Sequence, residues 1–196
     1  GTHDAAMVFR GTLDDVNAAL GTLSYLGNLD YNGGDTLDVS VNDLGNTGTG
    51  GAKSDSHAVA ITVTAVNDMP SFTSGENVTA LEDAGAQAVA GWATAISPGP
   101  ADEAGQVLNF VVANDNHALF SAQPAVAADG TLTFTAAANA NGSATVTVTL
   151  HDGGGTANGG VDTSAEQTFT ITVSPVNDAP TVASSIADVT VDEDAA

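Results

Sequence analysis

The sequence predicts an all-β protein: tandem antiparallel β-sandwiches of about seven strands per unit. Three observations carry this. Asn67-Asp68-Met69-Pro70 returns about 110 residues later as Asn177-Asp178-Ala179-Pro180, each time directly after an alternating Val/Ile/Thr run. The stretches leading up to it match as well: Gly21-Thr22-Leu23-Ser24-Tyr25 lines up with Gly130-Thr131-Leu132-Thr133-Phe134, Asn32-Gly33 with Asn141-Gly142, and Asp43 with Asp152. Apolar residues alternate with period two and are punctuated by Gly, Asn and Asp, which is the pattern of half-buried strands joined by turns.

A period that long means one domain per repeat. The expected organisation is the C-terminal part of one repeat in 1–70, a complete repeat in 71–180, and the first strand of another in 181–196. The first stretch lacks roughly the first third of its repeat. Half a sandwich cannot cover its own core, so that part is expected to be the less stable.

The elements follow in order. Asp14 to Leu20 predicts one or two helical turns, with acids at the start where the helix dipole favours them. Leu37, Val39 and Val41 predict a strand equivalent to Val146, Val148 and Leu150. After a loop one residue shorter than its counterpart, Val59, Ile61 and Val63 predict one equivalent to Phe169, Ile171 and Val173. In the complete repeat, Val78 and Ala80 open the first strand, and Ala88 to Trp92 is a weaker second. Leu108, Phe110 and Val112 form an inward set, Leu132 and Phe134 another. Thr145 to Leu150 and Thr168 to Val173 alternate Thr outward and apolar inward. Val189-Thr190, with Glu193-Asp194-Ala195, repeats Val78-Thr79 with Glu82-Asp83-Ala84.

Composition narrows the function. The chain has 24 Asp and Glu against two basic residues, Arg10 and Lys53, and a formal net charge of −22. Ion pairing neutralises at most two acids, so the remaining carboxylates must be solvated or bind cations. Such a field excludes nucleic acid, whose binding needs Lys and Arg to displace counterions, and opposes anionic membrane surfaces. Cysteine is absent, so stability is expected from packing and metal, not disulfides. No apolar run reaches the roughly 18 residues of a membrane span, so no direct membrane insertion is expected. With 42% apolar residues in clean alternation, the chain is not of the disordered acidic class.

Running the strands alternately down and up places the acids. Asp102 and Glu103 fall in the loop at the top of the complete repeat, and Asp152 arrives there at the end of the Val148 strand. Asn67 and Asp68 reach the same end from the preceding repeat. Glu82 and Asn177/Asp178 fall at the bottom. Carboxylates brought this close repel unless a cation sits among them. Hard oxygen ligands, roughly six to eight of them, are what Ca²⁺ takes. His3, His57, His117 and His151 share no zinc-ligand spacing.

At this point the chain resembles the bacterial cadherin-like repeats of very large secreted adhesins and RTX-type surface proteins. The residues that carry the likeness are Val-Asn-Asp-x-Pro at 66–70 and 176–180, Leu81-Glu82-Asp83-Ala84 with Asp192-Glu193-Asp194-Ala195, Ala101-Asp102-Glu103 ahead of a Leu/Phe strand, and Asn-Gly before a strand ending in Asp43 or Asp152. The resemblance implies an Ig-like, cadherin-like Greek-key sandwich with calcium between successive domains. It implies as ligands Glu82 and Glu193, Asn67-Asp68 and Asn177-Asp178, Asp102 with Glu103, and Asp152. The chain departs from the family where an acidic motif is replaced by Asn139 and Asn141, where the linker lacks its leading Asp, and where Asp102-Glu103 is adjacent instead of spaced. One or two ions per junction, not three, is therefore implied.

Other signals point elsewhere. Asp152-Gly-Gly-Gly through Asp162 matches half of a calcium-binding nonapeptide, but it occurs once and reads as a loop. Asn77-Val78-Thr79 and Asn141-Gly142-Ser143 match the glycosylation pattern, which arises often by chance. No Ser/His/acid constellation suggests an enzyme. Trp92 is a sugar-stacking platform or, more commonly, a core anchor. The expectation is a non-enzymatic, calcium-stiffened spacer of an extracellular bacterial surface or secreted adhesin, supporting cell adhesion and biofilm. Its partners would be neighbouring repeats of the same chain. The alternatives are a direct module binding surface polysaccharide or matching repeats on other cells, and an accessory domain of a secreted carbohydrate-active enzyme.

Overall fold

Alternating sequences become strands here, and among the described residues helix is confined to one short segment and three 3-10 turns. The computed structural model describes residues 6–45, 48–182, 184, 186–191 and 193, and the architecture is all-β, with several sheets whose pairings are mostly antiparallel. The described residues sort into two compact units. One takes those of 1–68 with 99–105 and 154–161, the other those of 69–98, 106–153 and 162–196.

In the first unit, helix α1 (Leu13–Leu20) starts where the acids stand. Thr12 caps it: its hydroxyl accepts the Asp15 N–H at 3.3 Å, and the Asp15 carboxylate accepts the Thr12 hydroxyl at 2.7 Å and its N–H at 3.2 Å. This reciprocal box satisfies donors that a helix start leaves orphaned. Those hydrogen bonds, the hydroxyl's first, hold the Asp15 carboxyl below the usual carboxylate range. Strands β1 (Gly33–Asn42) and β2 (Ser54–Val63) then form an unbroken antiparallel hairpin. Asp43 braces its loop, accepting the N–H groups of Lys53 at 2.7 Å and Gly45 at 2.9 Å.

The register places Leu37 opposite Val59, with Val39, Val41, Ile61 and Val63 on the same face. That face is only partly covered: Leu37, Val39, Ile61 and Val63 are half-buried. Val41 is 48% exposed and Val59 42%, and among the described residues of 6–68 none is buried.

The second unit shows the same face covered. Its strands are β3 (Ser71–Thr73), β4 (Val78–Leu81), β5 (Ala86–Val89), β6 (Thr94–Ser97), β7 (Asn109–Asn114), β8 (Phe120–Val126), β9 (Leu132–Ala136), β10 (Gly142–His151) and β11 (Gln167–Ser174). They form sheets ordered β4-β11-β10-β7, β5-β9-β8 and β3-β6. Val146, Val148, Leu150, Phe169, Ile171 and Val173 are buried in one hydrophobic cluster with Leu132 and Phe134 of β9 and Phe120 and Val126 of β8. Aromatic pairs stitch it: Phe72 meets Phe110 edge-on with centroids 5.1 Å apart, Phe120 meets Phe134 at 5.9 Å, and Trp92 tilts over Phe169 at 4.3 Å. Such contacts add to the burial energy of the rings. Trp92 is thus a core anchor, its indole N–H donated to the Glu76 carbonyl.

Three details differ from the sequence reading. β4 lies parallel to β11, since both run the same way and are neighbours. Periodicity does not encode a partner's direction. The second expected strand stops at Val89, because Gly91 turns the chain at φ +64° and β6 begins after it. β8 was not read at all. It carries Pro124, and its register to β9 slips twice, so its buried residues fall at Phe120, Pro124 and Val126 and not in strict alternation.

Candidate metal centre

Seven of the nine residues proposed as ligands fall in two places, and Asp152 and Glu193 in neither. Around the first Val-Asn-Asp, the chain leaves β2 and is clamped by Val161: the Asn67 carbonyl accepts the Val161 N–H at 3.0 Å, and the Asn67 amide donates to the Val161 carbonyl at 2.7 Å. The next N–H, that of Asp68, donates to Glu103 Oε1 at 2.8 Å. Glu103 ends the 3-10 turn Ala101–Glu103 and is 7% exposed. Its second oxygen, Oε2, is buried with no hydrogen-bond partner. Gly99 makes the close approach possible. It sits at φ +155°, which strains any residue with a side chain, and a Cβ there would overlap Glu103 Oε2 and force that carboxylate aside. Asp102 is exposed and accepts the amide of Asn32. The structure therefore brings together Asn67, Asp68 and Glu103, with Asp102 next in the same turn. Asp152 belongs to the other unit, where its N–H donates to the Asp162 carbonyl at 3.1 Å.

At the second place, Glu82 follows the end of β4 and is 5% exposed. Its N–H donates to the Ser174 carbonyl at 3.1 Å, its Oε1 accepts the Val176 N–H at 2.7 Å, and its Oε2 accepts the Asn141 amide at 3.2 Å. One carboxylate thus joins the end of β4, the segment after β11 and the turn before β10. Asp178 lies close to Asp83: desolvation first, then the charges of Asp178 and Glu82, push the Asp83 carboxyl above its usual range. The Asn177 amide reaches only the adjacent Asp178 carbonyl, at 3.4 Å. Glu193 is exposed and in a turn.

Sequence reading missed Asp83 and Asn141 as members of this second group. Both were visible, Asp83 inside the repeated Leu-Glu-Asp-Ala and Asn141 at the position where the resembled family carries acid. Among the described residues, no three His, Cys, Asp or Glu side chains converge as a metal-holding group. Asn and backbone carbonyl oxygens, which also serve Ca²⁺, lie outside that count. No helix among them is long and apolar enough to cross a membrane. No protein-family model matches the chain, and a search of curated proteins returns no significant match.

Proposed function

We propose that this chain is a calcium-stiffened spacer of a bacterial surface or secreted adhesin, non-enzymatic and extracellular, each repeat an Ig-like, cadherin-like Greek-key sandwich. One observation carries the calcium reading. Glu103 holds a buried carboxylate with one oxygen on the Asp68 N–H and the other without a partner. A buried, half-satisfied carboxylate is costly, and a hard cation at Oε2 removes that cost. Asp68, Asp102 and Asn67 belong to the same unit and would supply the further oxygen ligands. In a chain of net charge −22, neutralisation also relieves self-repulsion.

Such an ion would tie the end of one repeat, at Asn67-Asp68, to the 101–103 turn of the next. It would limit the angles the two repeats can take, and a string of repeats so tied is an extended rod that carries a distal binding domain. Trp92, buried against Phe169, is not the open ring of a sugar-stacking module, and this favours the spacer over the polysaccharide-binding alternative.

The test is thermal and chemical unfolding in CaCl₂ against NaCl of equal ionic strength, with Glu103→Gln beside the native chain. Free Ca²⁺ at 100 times its dissociation constant stabilises by about 2.7 kcal/mol. The native chain should gain clearly more from Ca²⁺ than from NaCl, and Glu103→Gln should lose most of that excess. Equal responses to the two salts would mean screening alone and would remove the calcium reading.

A further inference from the structure

Asn-Gly occurs three times, at 32–33, 141–142 and 158–159, and the fold treats the three differently. An Asn side chain is open to attack by the main-chain nitrogen of the next residue, and a glycine there leaves that nitrogen unshielded. The attack needs two freedoms. The side-chain amide must be able to leave, and the backbone must be able to swing its nitrogen onto Cγ.

The fold withholds both from Asn32 and Asn141. The Asn32 amide donates to the Asp102 carboxylate, and the Asn141 amide to Glu82 Oε2 at 3.2 Å. Gly33 opens β1 opposite Val63, and Gly142 opens β10 opposite Val173, so the nitrogen of each glycine belongs to a paired strand. Asn158 keeps both. It is exposed, and no described residue holds its amide. It stands at φ +56° in the 3-10 turn Ala157–Gly159, between Gly153-Gly154-Gly155 and Gly159-Gly160. So short a 3-10 turn has poor hydrogen-bond geometry and opens readily. A Cβ on Gly159 would meet nothing within 4 Å, so a ring has room to close there.

We propose that Asn158 is a site of spontaneous deamidation, and that its product loosens the hold of this loop on Asn67. The Gly159 nitrogen gives its proton to base and bonds to Asn158 Cγ. The Cγ–Nδ2 bond breaks, and Nδ2 leaves as ammonia. Water then opens the resulting succinimide at either carbonyl. Opening at the side-chain carbonyl gives an ordinary aspartate. Opening at the main-chain carbonyl leaves the chain running through Cγ, as an isoaspartate. The balance is water in and ammonia out, with no redox partner.

The consequence falls within the first unit. Just past Gly159, the Val161 N–H donates to the Asn67 carbonyl at 3.0 Å, and the Val161 carbonyl accepts the Asn67 amide at 2.7 Å. Gly160 lies so close that a Cβ on it would stand 3.0 Å from Asn67 Cβ. Isoaspartate adds a carbon to the main chain directly ahead of this contact. Ordinary aspartate adds only a charge. The isomer is therefore the form that breaks the clamp.

The experiment holds the native chain in chelator at mildly alkaline pH, folded and in urea, and samples it over weeks. Mass spectrometry follows each Asn-Gly peptide for the exchange of NH for O, and enzymatic methyl labelling detects isoaspartate. In urea the three sites should convert at similar rates. In the folded chain Asn158 should convert near its urea rate. Asn32 and Asn141 should be slower by at least about tenfold, the factor for first breaking an amide's bond to a carboxylate. Asn158→Gln should abolish conversion at that position. Hydrogen exchange reads the clamp: the Val161 N–H should lose protection in isoaspartate material and keep it in Asn158→Asp, which carries the charge without the added carbon. Folded conversion at Asn158 as slow as at Asn32 and Asn141 overturns the site. Full Val161 protection in isoaspartate material, or equal loss in Asn158→Asp, overturns the consequence. Chelator keeps these results independent of the calcium reading.

Discussion

Replacing Glu82 tests whether the buried carboxylate below β4 holds the second unit together without any ion. Glu82→Ala strips the partner from two donors, the Val176 N–H and the Asn141 amide. Hydrogen bonds to a charged group contribute roughly 1.5–3 kcal/mol each. Two effects reduce the sum: both donors regain some water once the side chain is gone, and the Asp83–Asp178 pair loses a neighbouring like charge. The net loss should be about 2–3 kcal/mol. With a urea slope of about 1.5 kcal/mol per molar, the midpoint falls by roughly 1.3–2 M. Glu82→Gln keeps an oxygen for the Val176 N–H but gives up charge assistance, and its amide needs Asn141 to flip. It should cost about 1 kcal/mol. The assay is urea unfolding in chelator followed by Trp92, the only tryptophan in the chain and a member of the second unit's core. An alanine variant within about 0.5 kcal/mol of native, or a glutamine variant as damaged as alanine, would refute the argument.

Equivalent positions in the two repeats should respond unequally. Ile171→Ala empties a fully buried site and should cost about 2–5 kcal/mol by Trp92-monitored unfolding, whereas Ile61→Ala on the half-covered hairpin should cost under about 1 kcal/mol by circular dichroism at low concentration. Similar costs would mean that the hairpin face is covered in solution. Asp83 should give an acid-side signature in chelator. Its folded-state pKa lies above the usual value, so its charge destabilises the fold at neutral pH, and that penalty disappears as pH falls through the raised pKa. Asp83→Asn should stabilise the second unit at pH 7 and flatten its pH dependence in that window. An unchanged profile would show that the Asp178 and Glu82 charges do not reach it.

What the sequence made legible follows from what each residue does locally. β10 and β11 were read residue by residue because Thr and Val alternate without interruption and one face meets the core. α1 was readable from the acids at its first turn. β8 escaped because Pro124 and two register slips break the alternation that pattern reading depends on. β3, three residues long, and β6, just past a glycine turn, are too short to show a period. At the candidate centre, the Val-Asn-Asp repeat and Glu82 are legible as repeated sequence features. The grouping of Glu103 with Asp68, and of Asp83 with Asp178, depends on loops folding back across about 35 and 95 residues, and no local spacing encodes that.

The two Val-Asn-Asp segments also show what the acids do before an ion is invoked. A strand that ends in a turn leaves N–H groups without ladder partners, and each segment meets a buried glutamate: Asp68 N–H on Glu103, Val176 N–H on Glu82. The two carboxylates are chemically alike but differently occupied. Glu82 uses both oxygens, so a cation there must displace the Asn141 amide, a contribution of roughly 1.5–3 kcal/mol for a bond to a charged group. Glu103 uses one oxygen and buries the other unpartnered, so a cation adds a ligand without breaking a bond. An acidic repeat can thus carry glutamates that fasten turns with both oxygens and glutamates that leave one oxygen unpartnered. Unused buried lone pairs separate the two roles, where charge count and sequence position do not. Substituting Glu82 therefore addresses stability in chelator, and substituting Glu103 addresses the response to calcium.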